Sequence, residues 1–215
     1  MNLSKINEPT RRLNIIKKKY IDPLLKKEGF IKKGIRYVNT TEELEYSINI
    51  QKLGFNTKNS LDFVLNFEIY PNQERIKFLP FTFLAPLINA RVFAHAPVTN
   101  QSFTLTTNDE YPNLLDQEIG EKIERVLREY TIPFLKSIQT LKDVVIYLEN
   151  LRDSKPKITP LIQPIIGGDM QKWIAIVYFM INQKEKSIQI LDEEISICKI
   201  EGYKKNLERL KSQML

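Results

Sequence analysis

Leu61-Asp62-Phe63-Val64-Leu65-Asn66-Phe67-Glu68-Ile69-Tyr70 is the stretch on which the fold turns. Leu61, Phe63, Leu65, Phe67 and Ile69 alternate with Asp62, Val64, Asn66, Glu68 and Tyr70. Successive side chains of a strand point to opposite faces, so this period of two predicts a half-buried antiparallel strand. Upstream, Leu44, Tyr46, Ile48 and Ile50 alternate with Glu45, Ser47, Asn49 and Gln51, and the polar run Gly54–Ser60 reads as the turn between the two strands. Phe30–Val38 is the expected partner, with two shorter strands at Ala90–Ala94 and Ser102–Thr107. The prediction is an antiparallel sheet of about 4–5 strands.

Helical periodicity flanks these strands on both sides. Over residues 8–28, Leu13, Ile16, Tyr20 and Leu24 form an apolar stripe, with Asn7 as a cap and Pro9 in the first turn. Pro23 is expected to kink or break this helix near Asp22, and Gly29 to stop it. From Leu114 the period is helical again: Ile119, Ile123, Val126, Leu127 and Tyr130 make a stripe that Pro133 ends or bends, and Leu141–Leu151 is a further helix. Pro156, Pro160, Pro164 and the pair Gly167-Gly168 mark residues 152–168 as a linker or surface wrap. Helices at Met170–Ile181, Glu185–Lys199 and Tyr203–Gln213 follow. The fold class is therefore α+β, an N-terminal helix packed on the sheet and a mostly helical second half. It divides as an α+β domain at 1–151, the linker at 152–168 and a helical hairpin or tail at 169–215.

The composition excludes more than it suggests. The chain has 215 residues with one Cys (Cys198), one His (His95) and one Trp (Trp173). Within one chain these singletons leave no Cys/His zinc site, iron–sulfur cluster, internal disulfide or two-His metal site. A chain this long buries roughly 70% of its unfolded surface and needs no such staple. No metal and no cofactor is expected. The longest apolar stretches, Phe78–Val92 and Trp173–Ile181, fall short of the roughly 20 residues that span a bilayer. The start of the chain lacks the apolar core of a secretory signal. A cytoplasmic protein with a reduced thiol and no membrane association is the expectation.

The net charge of +6 is a local feature. Residues 1–36 hold eleven basic side chains against three acidic ones, a net of +8; the rest of the chain holds 21 against 23, a net of −2. Arg11, Arg12, Lys18, Lys19 and Lys26 fall opposite the apolar stripe of the first helix at 100° per residue. They are candidate contacts for an acidic partner or for phosphates. The alternative for this face is a solvated surface of long Lys stems.

Leu25-Lys26-Lys27-Glu28-Gly29-Phe30-Ile31-Lys32, then Ile50-Gln51-Lys52, then Val64-Leu65-Asn66-Phe67 resemble, in that order, the opening of a bacterial family known as the domain of unknown function numbered forty-three oh four. The resemblance extends over about residues 10–150 and takes in Ile119–Glu149, with Ile132-Pro133-Phe134 between two helices. It implies an α+β fold and carries over no activity and no catalytic residue. In the tail, Ala175, Tyr178, Ser187 and Leu191 fall at spacings similar to a tetratricopeptide helical hairpin, with Asn182 in the turn; no second copy is found.

On the sheet, strand parity places Asn49 and Gln51 on one face with Asp62, Asn66 and Glu68. Asn49, Gln51, Asn66 and Glu68 are the candidate ligand-facing residues; an ordinary solvated sheet face is the alternative. His95, in Phe93-Ala94-His95-Ala96-Pro97, has no Ser or Asp at a motif spacing and reads as structural. Cys198 reads as a small core residue. The acidic runs Glu42-Glu43-Leu44-Glu45 and Asp192-Glu193-Glu194 read as solvated surface. No P-loop, dinucleotide loop, nucleophile elbow or kinase signature is present. The functional expectation is a non-catalytic intracellular protein-binding module, regulatory or immunity-like, with another protein as partner. Nucleic-acid binding through the basic face of the first helix is the alternative, and a carboxylate-based hydrolase a third reading.

Overall fold

The two alternating stretches form the long strands of one sheet. In a computed structural model that describes residues 8–54, 56–77, 79–81, 85–96, 102–153 and 170–215, the strands are β1 (Ile31–Lys33), β2 (Arg36–Thr40), β3 (Leu44–Lys52), β4 (Ser60–Pro71), β5 (Ile88–Arg91) and β6 (Ser102–Thr106). Among the described residues the sheet is six-stranded and antiparallel, in the order β1-β2-β3-β4-β5, with β6 also on β4. Phe63 of β4 is paired with Phe103 of β6, and their rings stack 5.3 Å apart. The expected single strand Phe30–Val38 is a hairpin instead, which is why the sheet has six strands. Gly34 takes φ +63° at the first position of the two-residue turn between Lys33 and Arg36, a conformation that glycine reaches without steric cost.

The first helix runs through its proline rather than breaking there. It comprises α1 (Pro9–Ile16), a π turn (Lys17–Ile21) and α2 (Asp22–Lys27). The N–H of Asp22 bonds to the carbonyl of Lys17, five residues back. Pro23 has no N–H to offer Lys19 and its ring would strike that carbonyl in a regular α-helix; the wider π turn removes the conflict. The same device recurs where Pro133 is expected to end or bend a helix: α4 (Pro112–Val126), a π turn (Leu127–Thr131) and α5 (Ile132–Ser137), with the N–H of Ile132 on the carbonyl of Leu127. The predicted cap Asn7 lies outside the described residues; Glu8 holds the cap position and makes no side-chain cap bond.

The described residues of Met1–Asn39, Tyr46–Phe67 and Ala90–Lys136 make one compact unit. Here α1 lies against β6, α2 against β1, and the first π turn against α4. Ile16, Ile21, Leu25, Phe63, Leu65, Phe93 and Ile123 are fully buried. α4 comes close to the π turn at Gly120, where a Cβ would stand 2.1 Å from Cδ2 of Tyr20.

The second unit takes in the described residues of Thr40–Glu45, Glu68–Asn89 and Ser137–Leu215. It holds α3 (Gln73–Ile76), α6 (Leu141–Asp153), α7 (Met170–Met180), α8 (Lys184–Ile197) and α9 (Glu201–Met214). Thr140 and Asp143 cap α6 reciprocally: the N–H of Asp143 donates to Thr140 Oγ1 at 3.2 Å and the N–H of Thr140 to Asp143 Oδ2 at 2.9 Å. α7 and α8 pack as a hairpin whose turn places Asn182 at φ +61°. Fully buried, the Ser187 hydroxyl donates to the Ala175 carbonyl at 2.8 Å across that hairpin. Of the predicted linker 152–168, all beyond Asp153 lies outside the described residues. Cys198 is half-buried at the C-terminal cap of α8, not in the core, because α8 ends at Ile197. Among the described residues no helix is long and apolar enough to cross a membrane.

Candidate functional site

Three of the four sheet residues singled out from the sequence come together, and a fourth partner joins them. Asn66 Nδ2 donates to Gln51 Oε1 at 2.9 Å and to Asn49 Oδ1 at 3.3 Å, and Arg91 Nη1 donates to Asn66 Oδ1 at 2.8 Å. Glu68 lies two residues beyond Asn66 on the same face of β4 and is buried. The face is only partly wet: Ser47 is 1% exposed and Asn49 9%, while Gln51 is exposed and Arg91 half-buried.

Arg91 fixes the direction of every bond in this row. A guanidinium can only donate, so Asn66 must turn its oxygen to Arg91 and its amide nitrogen to β3. Asn49 and Gln51 must then present their oxygens to Asn66 and keep their NH2 groups for other acceptors. The row turns its acceptors inward and leaves N–H donors outward: those of Asn49, Gln51 and the remaining N–H groups of Arg91. Among the described residues no carboxylate lies within ion-pair distance of Arg91. Burial pulls its pKa down from the ordinary value. Its charge is thus partly stripped of water and unmatched by an anion. Such a surface suits a carboxylate or another oxyanion, which accepts from several donors at once.

The basic face of the first helix needs one correction. Arg11, Lys18, Lys19 and Lys26 are exposed, and Lys19 lies over the ring of Tyr20 at 5.0 Å. Arg12 is 1% exposed and belongs to the interior. Its Nη1 and Nε groups donate to Asp109 Oδ2 at 2.5 Å and Asp116 Oδ1 at 2.9 Å, and Nη1 also to the Thr106 carbonyl at 2.8 Å. Burial opposes the Arg12 charge, but the Asp116 and Asp109 carboxylates outweigh it and raise its pKa. At 100° per residue Arg12 sits beside Leu13 and Ile16 at the edge of the stripe, and two carboxylates, Asp109 ahead of α4 and Asp116 within it, make it a core position. Sequence periodicity could not supply partners 97 and 104 residues away.

A family model for a domain of unknown function, DUF4304, matches residues 21–137, more than half of the chain. The chain belongs to the DUF4304 family. No curated protein and no solved structure matches it. The DUF4304 segment opens on the last residue of the first π turn and closes on the last residue of α5, and it contains Asn49, Gln51, Asn66 and Arg91. Arg91 is the site residue that the sequence reading missed. Its signal was present: a lone guanidinium inside the apolar run Phe78–Val92, where an unpaired charge is rare. His95 closes the 3-10 turn Val92–His95 that follows β5 in the DUF4304 domain. Of the acidic runs, Glu43 accepts the N–H of Leu141 at 2.8 Å and lies 3.4 Å from Arg75, while Asp192 holds Lys211 at 2.5 Å. Among the described residues no His, Cys, Asp and Glu side chains group in a way that could hold a metal ion.

Proposed function

We propose that this protein is a non-catalytic binding module of the cytoplasm, regulatory or immunity-like in role, which recognises an acidic segment of another protein on the Asn49–Gln51–Asn66–Arg91 face. The observation that carries the reading is the direction of the hydrogen bonds: a half-buried guanidinium with an amide as its hydrogen-bond partner, in a row whose outward groups are donors. The helical tail, with its tetratricopeptide-like spacing, would add a second protein contact. Nucleic-acid binding is the weaker reading, since Arg12 is spent inside the fold and four of the five proposed cations remain outside.

A Glu-rich peptide titrated into the 15N-labelled chain tests the proposal. Saturable shifts are expected in the side-chain NH2 signals of Asn49 and Gln51 and in Arg91 Nε–H. Hydrogen bonds to charged groups contribute about 1.5–3 kcal/mol, so Arg91→Ala is expected to weaken binding by at least about tenfold. Asn66→Asp gives Arg91 an internal carboxylate and is expected to weaken binding as much while leaving the guanidinium in place. Peptide shifts confined to other residues, or an Arg91→Ala variant that binds as the parent does, would overturn it.

A further inference from the structure

Lys17 opens the first π turn, is half-buried, and stands outside the row of exposed cations that the helix periodicity picks out. On an ideal α-helix, residues five apart point about 140° away from each other. The π turn cancels that divergence: Asp22 is bonded through its N–H to the Lys17 carbonyl and stands one turn on from it. Both oxygens of the Asp22 carboxylate are already engaged. Tyr37 Oη donates to Oδ1 at 2.5 Å and Lys32 Nζ to Oδ2 at 2.7 Å. Lys32 and Tyr37 are cross-strand partners of the β1–β2 hairpin, so they share a face, and the Lys32 ammonium lies 5.5 Å from the centre of the Tyr37 ring. Lys52 closes β3, the strand next to β2. Among the described residues the Lys17 ammonium has no hydrogen bond and no ion pair. Burial lowers its pKa, repulsion from Lys32 and Lys52 lowers it further, and Asp22 acts against them.

Three ammonium groups against one carboxylate leave two positive charges at the rim where the helix meets the sheet. Lys17 is also partly stripped of water and unpaired. Lysine meets phosphate as a point charge free to swing to any oxygen, and a dianion matches two excess charges. We propose that Lys17, Lys32 and Lys52 bind a single phosphate group, carried by inorganic phosphate or by a small phosphomonoester. Asp22 and Tyr37 do not touch it; they hold Lys32 in place. The site is on the opposite face of the sheet from Asn49, Gln51 and Asn66, so it stands or falls separately from the acidic-segment reading.

Binding is measured by calorimetry on the full chain in chloride buffer of fixed ionic strength, with inorganic phosphate, glycerol phosphate and a single-stranded oligonucleotide as separate probes. The expected result is one saturable site for phosphate or glycerol phosphate, weakened tenfold or more in Lys17→Met and in Lys52→Gln. Lys33→Gln, which removes an exposed charge on the other face of β1, is expected to leave it unchanged. Whichever of the two small probes binds more tightly identifies the source of the phosphate group. Should Lys17→Met fail to fold, Lys52→Gln on an exposed side chain decides, together with a saturable shift of the Lys17 13Cε signal in the parent chain. No saturable phosphate binding, equal losses in Lys33→Gln and Lys52→Gln, or tighter binding of the oligonucleotide than of either small probe would overturn the proposal.

Discussion

Removing the Arg12 guanidinium would strand two carboxylates, Asp109 and Asp116, against a site that is 1% exposed in the parent. Breaking a buried pair from one side leaves an uncompensated charge and costs about 3–5 kcal/mol. Arg12→Ala is therefore expected to lower the unfolding free energy measured in urea by that much, and Arg12→Met with Asp116→Leu to recover part of it, because the Met side chain refills the site and one of the two stranded carboxylates goes too. A double variant no better than Arg12→Ala would instead place the loss on Asp109, the carboxylate that is still stranded. The pH dependence follows from the same cluster. Burial alone would raise the Asp109 pKa, but the Thr106 N–H, the Arg12 guanidinium and the Thr106 hydroxyl outweigh it and hold it below the usual 3.8. A carboxylate with a depressed folded pKa contributes stability that is present above the unfolded value and fades as the pH falls through the folded one. Urea midpoints taken from about pH 5 downward should thus stay level until about pH 4 and then fall. The fall should be shallower in Asp109→Asn.

At the scale of elements, the two prolines show what a helical period conceals. Pro23 and Pro133 both sit where a regular helix would fail, and both are passed by a π turn instead of a break. The extra residue rotates the chain so that Ile16, ahead of the turn, and Leu24 and Leu25, after it, stay buried. The first turn has a direct packing consequence, since Tyr20 lies where a Cβ on Gly120 would be. Ala is favoured over Gly in a helix by about 1 kcal/mol, but overpacking costs about 1–3 kcal/mol. Gly120→Ala is expected to destabilise the chain in thermal unfolding, and Tyr20→Ala in the same chain to make Gly120→Ala neutral or favourable. The long strands were legible because Leu44–Gln51 and Leu61–Tyr70 each hold an unbroken period of two. The hairpin was not legible, because the alternation of Phe30–Val38 is weak and the single glycine at Gly34 reads as part of a strand until its positive φ is seen. The π turns were not legible at all: proline announces a conflict with the α-helix, and the sequence does not say which of kink, break or wider turn resolves it.

Over the whole molecule, charge is the quantity that the sequence locates well and assigns poorly. The concentration of +8 in residues 1–36 is real, but those cations do three different jobs. Arg12 is neutralised inside, Lys17 and Lys32 surround Asp22, and Arg11, Lys18, Lys19 and Lys26 face solvent. Strand parity brings Asn49, Gln51 and Asn66 together because a strand has only two faces. It could not find Arg91, which comes from another strand 25 residues further on. The four solvent-facing cations give a prediction that separates the two readings of function. Replacing Arg11, Lys18, Lys19 and Lys26 by Gln takes the net charge from +6 to +2, and exposed substitutions of this kind each shift stability by only about 0.5 kcal/mol. Four phosphate contacts correspond to a slope of about −3.6 in log affinity against log salt. The parent is expected to hold duplex DNA weakly with a slope no steeper than about −4, and the fourfold variant to lose that binding while keeping its affinity for a Glu-rich peptide. A slope near −8 would require about twice as many cations on phosphate and would move nucleic acid ahead of protein as the partner. Loss of the peptide along with the DNA would instead relocate the acidic-partner site from Arg91 to the first helix.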